Sequence, residues 1–389
     1  MDTLRVRIYN VRFGDAILVT VPDGGVRRHI LIDIGNAFLG EGGVDSLFKS
    51  VVEDVLTELG GQPLDLYVMT HEHMDHVQGL QYVQEKICPA ESLAARLQVQ
   101  HAWFPASSEP GYYERNTKAK KKLDEARAAY AAVERYLQAA PANATAWTKT
   151  LMALNDWRST QKCVNFLRGL AQHPWYVHRG VDLAGKHPFQ ETQFEIWAPE
   201  EDTSIYYGTF HPVAAVSPER GNENHGQNQE VIPPPGVDAG AFFDLVEQRK
   251  RGHGDNLLAI DKAANNTSVV FCLTWRGHRL LFPGDAEVRS WQEMNKRLPL
   301  APVDFLKVSH HASQTGMPPV DILDKLLPAG GGHRFAAVST FPAADAPPEK
   351  FVYPLVPHPD VLAELARRTE LRTVIGSADG APLDFEFDG

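Results

Sequence analysis

The stretch Thr70-His71-Glu72-His73-Met74-Asp75-His76-Val77-Gln78-Gly79 puts three imidazoles and a carboxylate directly behind an apolar run, Leu64 to Met69. Neutral imidazole combined with carboxylate suits zinc, and also manganese or iron; no cysteine stands nearby to make a sulfur-rich structural site. If Leu64 to Met69 is a strand, alternate residues of the extended chain face the same way, so His71 and His73 can address one ion. Asp75 and His76 follow once the chain turns, within reach of a second ion. The ordinary alternative is a set of solvated loop histidines, but with 16 His among 389 residues chance does not crowd donors in this pattern behind a strand. The chemistry expected is hydrolysis by water activated between metal ions.

The HxHxDH spacing is the hallmark of the metallo-β-lactamase superfamily, and other blocks resemble one branch of it, the hydrolase domain attached to ComEC-type DNA-uptake channels. Val6-Arg7-Ile8-Tyr9-Asn10-Val11, Phe13-Gly14-Asp15-Ala16-Ile17-Leu18-Val19 and His29-Ile30-Leu31-Ile32-Asp33-Ile34-Gly35 look like its opening strands. Asn265-Asn266-Thr267-Ser268-Val269-Val270, Leu280-Leu281-Phe282-Pro283-Gly284-Asp285-Ala286-Glu287 and Phe305-Leu306-Lys307-Val308-Ser309-His310-His311-Ala312-Ser313 resemble its NNxSLV, LLxxGDxE and LKVxHHGS blocks, in the same order. Ala336-Ala337-Val338-Ser339 and His358-Pro359-Asp360-Val361-Leu362 resemble its closing strand and last helix. The likeness spans roughly residues 5 to 90 and 190 to 387 and leaves the middle uncovered.

The resemblance implies an α/β fold, the αββα sandwich of two mixed β-sheets flanked by helices, as a single domain over 1–389. It also implies two divalent metal ions, zinc or manganese, and a phosphodiester substrate, DNA or a nucleotide, cleaved by metal-activated water. Asp285, after an apolar strand and a Pro-Gly turn, is the expected bridging carboxylate. One of His310 and His311 should be the last ligand of the second ion. His310 is favoured from its place just past the strand, leaving His311 to contact a phosphate or protonate the leaving group. The expected metal ligands are therefore His71, His73, Asp75, His76, Asp285 and His310, with Asp75, His311 and Asp33 in catalysis. Asp33 is better cast as orienting an imidazole N–H than as a ligand. Asn266, Ser268 and Ser313 are expected to face the substrate. The chain departs from the superfamily pattern where a third histidine usually completes the first site; His225, His101, the Asn265-Asn266 pair or water are the possible donors.

Around these residues the elements read as follows. Val6 and Ile8, with Ile17 and Val19, alternate as paired strands do, and Asp45 to Leu59 carries apolar residues at helical spacing. Val77 to Ile87 should be the helix after the motif, and Arg279 to Phe282 and Val303 to Val308 the later strands. Residues 91–190 read as a helical insertion: Tyr112 to Ala140 is rich in alanine, lysine, glutamate and arginine without interior Pro or Gly, and Thr148 to Leu170 reads as a second helix. That insertion is either packing over a sheet edge or a lid or protein-binding surface. The Pro-, Gly- and Asn-rich part of 199–264 reads as a long loop or lid.

Composition agrees with a globular enzyme. Cys88, Cys163 and Cys272 are widely separated and odd in number, which implies no disulfide framework and a reducing, cytoplasmic setting. No apolar run reaches the roughly 18 residues of a membrane span, and Asp2 and Arg5 stand where a signal peptide would be apolar. A net charge of −11 is poor for holding nucleic acid by the surface alone, although metal ions change the local sum. The basic clusters Lys118, Lys120, Lys121, Lys122 and Arg249, Lys250, Arg251 read first as solvated surface and secondly as phosphate guides. Other classes stay open: cleavage of a thioester, lactone or lactam by the same ions, or an effector component, for instance in defence, that keeps the fold to bind a partner.

Overall fold

Runs of Val, Ile, Leu and Phe broken by Gly, Pro and Asp turns build thirteen strands among the described residues of this computed structural model: 2–37, 44–87, 90, 92–139, 141, 144–211, 252–330, 332–341 and 356–389. The first sheet contains Thr3–Tyr9 (β1), Ala16–Asp23 (β2), Val26–Ile34 (β3), Leu64–Val68 (β4), Val99–Pro105 (β5), Ala171–Val177 (β6) and Pro382–Asp388 (β13). The second contains Gln193–Ala198 (β7), Val270–Trp275 (β8), His278–Phe282 (β9), Phe305–Lys307 (β10), Phe335–Val338 (β11) and Glu370–Thr373 (β12). Their orders are β13-β1-β2-β3-β4-β5-β6 and β12-β11-β10-β9-β8-β7. Both sheets are mixed. The hairpin strands at one side pair antiparallel, with Val6 opposite Val19 and Ile8 opposite Ile17, while β3 to β6 and β9 to β12 run parallel.

One apolar layer lies between the sheets, where Val6, Ile8, Ile17 and Val19 meet Phe271, Phe282 and Phe305. The opposite face of the first sheet is covered by Val44–Leu59, whose Phe48, Val51, Val52 and Val55 form one buried stripe, and by Trp157–Leu170. The opposite face of the second is covered by Val288–Arg297, Val320–Leu326 and Pro359–Arg368. This is the αββα sandwich that the resemblance implied. Each fully buried aliphatic or aromatic side chain of these layers contributes about 1.5–3 kcal/mol relative to exposure.

The middle of the chain differs from the expectation. Residues 91–190 are not only helical, because β5 and β6 lie within them and extend the first sheet in parallel. Short parallel strands read from sequence as brief apolar runs, and the long Ala- and Lys-rich helix beside them dominates the pattern. That helix runs Thr117–Ala139 after a short turn Tyr112–Arg115. The single helix expected over 148–170 is two, Ala146–Leu154 and Trp157–Leu170, because the Asp156 side chain accepts from the Arg158 N–H and caps a new start. The helix expected over 77–87 is likewise broken into short turns, Gly79–Tyr82 and the wide turn Val83–Ile87. Part of the presumed loop 199–264 is the helix His253–Asn266, while 212–251, with the Arg249-Lys250-Arg251 cluster, lies outside the described residues, as does Cys88. Cys163 and Cys272 are free and buried. No helix among the described residues is long and apolar enough to cross a membrane.

Candidate metal centre

Strand ends from both sheets meet at one edge of the sandwich. β3 ends beside Asp33, β4 runs into His71 to His76, β9 is followed by Asp285, and β10 by His310 and His311. Two glycines allow the approach: a Cβ on Gly35 would stand 2.2 Å from the Asp75 carbonyl carbon, and one on Gly14 2.2 Å from the Gly35 carbonyl oxygen. The backbone leaving β3 is thereby pressed against the four-residue helix Met74–Val77 that carries Asp75 and His76.

Asp75, His76, Asp285 and His311, all buried, converge. His311 Nε2 lies 3.3 Å from Asp75 Oδ2 and 3.5 Å from Asp285 Oδ2; His76 Nε2 lies 3.3 Å from Asp285 Oδ2 and 3.9 Å from Asp75 Oδ2. Donors bound at roughly 2.0–2.2 Å around a tetrahedral ion stand roughly 3.3–3.6 Å from one another. Three of these four distances have that spacing and the fourth is longer, all four donor atoms lie within 4.8 Å of one another, and two imidazoles with two carboxylates are a donor set for a divalent ion. His76 Nε2 and Asp75 Oδ1 are buried with no hydrogen-bond partner among the described residues, as a site made for an ion requires.

Each imidazole is aimed from behind. His76 Nδ1 lies 2.8 Å from Asp33 Oδ2, and Asp33 is itself held by the Thr70 N–H at 2.9 Å and the Thr70 hydroxyl at 2.5 Å. His311 Nδ1 lies 2.9 Å from the Ser339 carbonyl oxygen. An acceptor at Nδ1 keeps the proton there and leaves the Nε2 lone pair for a metal. Burial disfavours a charged imidazole, but Asp285 and Asp75 outweigh it and hold His76 well above the ordinary histidine range; the same balance raises His311. In return, and against their own burial, Asp75 is lowered by His76 and His311, and Asp285 falls well below the usual carboxylate range. A divalent cation would replace the protons that these carboxylates otherwise draw onto the imidazoles.

The two adjacent histidines fall in two different groups, and the one favoured from the sequence is not the one beside Asp75, His76 and Asp285. His311, not His310, joins Asp75, His76 and Asp285, whereas His310 falls in a second buried group with Asp261 and Glu287. The reason is backbone conformation: His310, His311 and Ala312 have φ of 46°, 53° and 66°, so alternation counted from the strand no longer says where each ring points. Three successive non-glycine residues in the left-handed region carry strain of the kind stored at functional sites.

His71 and His73 stand next to the four-donor group, with ring centroids 4.7 Å apart and His71 4.2 Å from the ring of His76. His71 Nε2 is buried without a partner among the described residues, and burial, then His76 and His73, hold its pKa well below the ordinary value, leaving a neutral donor. His73 Nε2 lies 3.0 Å from Asn155 Oδ1 and 3.8 Å from Asp261 Oδ1. Asn155 Nδ2 donates to Asp261 Oδ1 at 2.9 Å, and Asn265 Nδ2 donates to Glu287 Oε1 at 2.8 Å.

Asp261, Glu287 and Asn155 did not stand out in the sequence. The available signals were Asp261 four residues before Asn265 on one helix face, and Glu287 closing the GDAE block. Of the donors considered for the first site, His225 lies outside the described residues. His101 sits within β5 opposite Leu66, its Nδ1 3.2 Å from Trp175 Nε1 and its ring beside His173, and not among these donors.

The three residues expected to face substrate are occupied internally. Asn266 Oδ1 accepts from the N–H groups of Glu287 at 3.2 Å and Ser290 at 2.9 Å, at the start of the helix Val288–Arg297. Ser268 Oγ accepts from Asp285 N at 3.1 Å, and Ser313 Oγ lies 2.9 Å from His310 Nδ1. In these contacts they hold the turn at Asp285, the helix start after Glu287 and the ring of His310. Behind the centre, Lys307 Nζ meets Asp15 Oδ2 at 2.8 Å in a buried ion pair between the two sheets, and the Ser339 hydroxyl donates to the same carboxylate.

No family model matches this chain, and no curated protein matches it. Among solved structures, it is similar to one described as a new diphosphatase from the PhnP family, with 12% identity, 99% of each chain covered and a TM-score of 0.36. At that distance the neighbour's activity says nothing about this chain, and the centre stands on its own geometry.

Proposed function

We propose that the chain is a metal-dependent hydrolase of the metallo-β-lactamase superfamily that cleaves a phosphodiester in DNA or a nucleotide, as the ComEC-like blocks imply. The observation that supports this most is the buried four-donor group Asp75, His76, Asp285 and His311, whose donor atoms lie within 4.8 Å of one another, with its imidazoles oriented by Asp33 and Ser339. Zinc or manganese would sit there, and Asp261, Glu287 and His310, with His73 Nε2 3.8 Å from Asp261 Oδ1, are the donors that would hold a second ion. Such ions supply Lewis acidity, which generates a nucleophile from water near neutral pH and offsets charge developing on a phosphoryl group.

The protein's own part is orientation and exclusion of water. Asp33 and Ser339 fix the two rings, Ser268 fixes the Asp285 turn, and the burial of every donor lowers the local dielectric and strengthens each interaction with an anionic substrate. The direct test is to quantify metals in the purified protein and assay it with zinc and manganese on bis-p-nitrophenyl phosphate, single-stranded and duplex DNA, and nitrocefin. Phosphodiester cleavage should appear and should vanish in Asp75→Ala and His76→Ala while folded content is kept. Cleavage that survives both changes, or turnover of nitrocefin alone, would refute the reading.

A further inference from the structure

A cavity of about 110 Å³, open to solvent on one side, lies beside the metal centre, between the insertion helices and the helix His253–Asn266. Glu72 and His73 of the metal motif line it on one side; Arg127, Tyr113, Tyr207 and Trp157 line it elsewhere. That is below the roughly 300–1,000 Å³ of a pocket that encloses a whole drug-sized ligand, so a small ligand would fill it and extend through its open mouth, and a duplex does not enter.

Arg127 gives the cavity its chemistry. Its guanidinium stacks 4.4 Å from the Trp157 ring centroid, and its Nε is buried with no hydrogen-bond partner among the described residues. It makes no ion pair among those residues either, although most of the chain's described arginines do. The carboxylate lining the cavity, Glu72, is engaged by the Ser108 hydroxyl at 2.6 Å. A guanidinium fork held on an indole and without an ion-pair partner among the described residues is suited to a phosphate, while the Tyr113 and Tyr207 rings are suited to a flat ring.

We propose that this cavity binds one nucleotide unit of the substrate, with Arg127 holding a phosphate and the aromatic walls receiving the base. The inference rests on the hydrolase reading and narrows it: the preferred substrate is a nucleotide-sized phosphodiester, and the insertion that builds the cavity is part of substrate recognition.

The test measures binding apart from turnover. Equilibrium dialysis of the metal-loaded protein with adenosine 5′-monophosphate, adenosine and ribose 5-phosphate should show the nucleotide bound at least about tenfold more tightly than either fragment. Arg127→Ala should weaken the nucleotide about tenfold to a hundredfold with metal content, melting temperature and adenosine binding unchanged, and Arg127→Lys should restore part of the loss. The proposal is overturned if Arg127→Ala binds the nucleotide like the wild type, if ribose 5-phosphate binds equally well, or if a single-stranded oligonucleotide binds more tightly in a way indifferent to Arg127. Hydrolysis of bis-p-nitrophenyl phosphate without nucleotide binding would remove the cavity's role and leave the hydrolase standing. Nucleotide binding without hydrolysis of any phosphodiester would do the reverse.

Discussion

Two adjacent imidazoles, His310 and His311, carry the sharpest residue-scale consequence. His311 completes the donor group with Asp75, His76 and Asp285, while His310 faces Asp261 and Glu287. His311→Ala should therefore lower the metal retained after dialysis and abolish hydrolysis, whereas His310→Ala should retain the ion of that group; elemental analysis of the two variants separates them, and the opposite pattern would reverse the assignment. The electrostatics predict a linked proton count. Because His76 and His311 are raised above the free-imidazole value, the metal-free protein holds their protons more tightly than free imidazoles do, and metal loading should release protons. The sign follows directly: affinity rises with pH until these groups are deprotonated, and falls as pH drops and protons compete. Calorimetry in two buffers of different ionisation enthalpy reads that number, and no release would mean that the rings were already neutral.

At the scale of elements, the centre depends on how closely two backbone segments pass. The turn after β3 has no room for a side chain at Gly35, since an added Cβ would stand 2.2 Å from the Asp75 carbonyl carbon. Gly35→Ala must push the Met74–Val77 helix away and so should cost about 3 kcal/mol of stability and lower metal occupancy together. Urea denaturation and metal analysis of the same sample check this; a variant of normal stability and full occupancy would show that the contact is soft. The neighbouring left-handed run at His310 to Ala312 works in the same direction, because it is held in place by packing and by the Ser313 and Ser339 contacts.

Across the whole molecule, the site exists only where the two sheets are joined. Asp15 lies between β1 and β2, Lys307 ends β10, and their buried pair links one sheet to the other directly behind His311. Lys307→Met strands a buried carboxylate and should destabilise the fold by about 3–5 kcal/mol, while Asp15→Leu combined with Lys307→Met should recover much of that loss. Chemical denaturation of the single and double variants decides it; a single variant as stable as the wild type would mean that water reaches the pair.

The chain itself made the sandwich and most of the centre legible, because alternation and helical spacing report burial locally, and because HxHxDH, Asp285 and the His310-His311 pair stand directly after apolar runs. Asp33 could be placed behind an imidazole for the same reason. The tertiary structure decided the rest. Which member of the histidine pair faces the cage follows from positive φ angles that no residue type there announces. Asp261, Asn155 and Arg127 reach the centre or its cavity from segments far from the motif in sequence, through packing of the insertion helices Thr117–Ala139 and Ala146–Leu154 against the helix His253–Asn266. Periodicity reports which face of an element is buried; what that face meets is set by long-range packing alone.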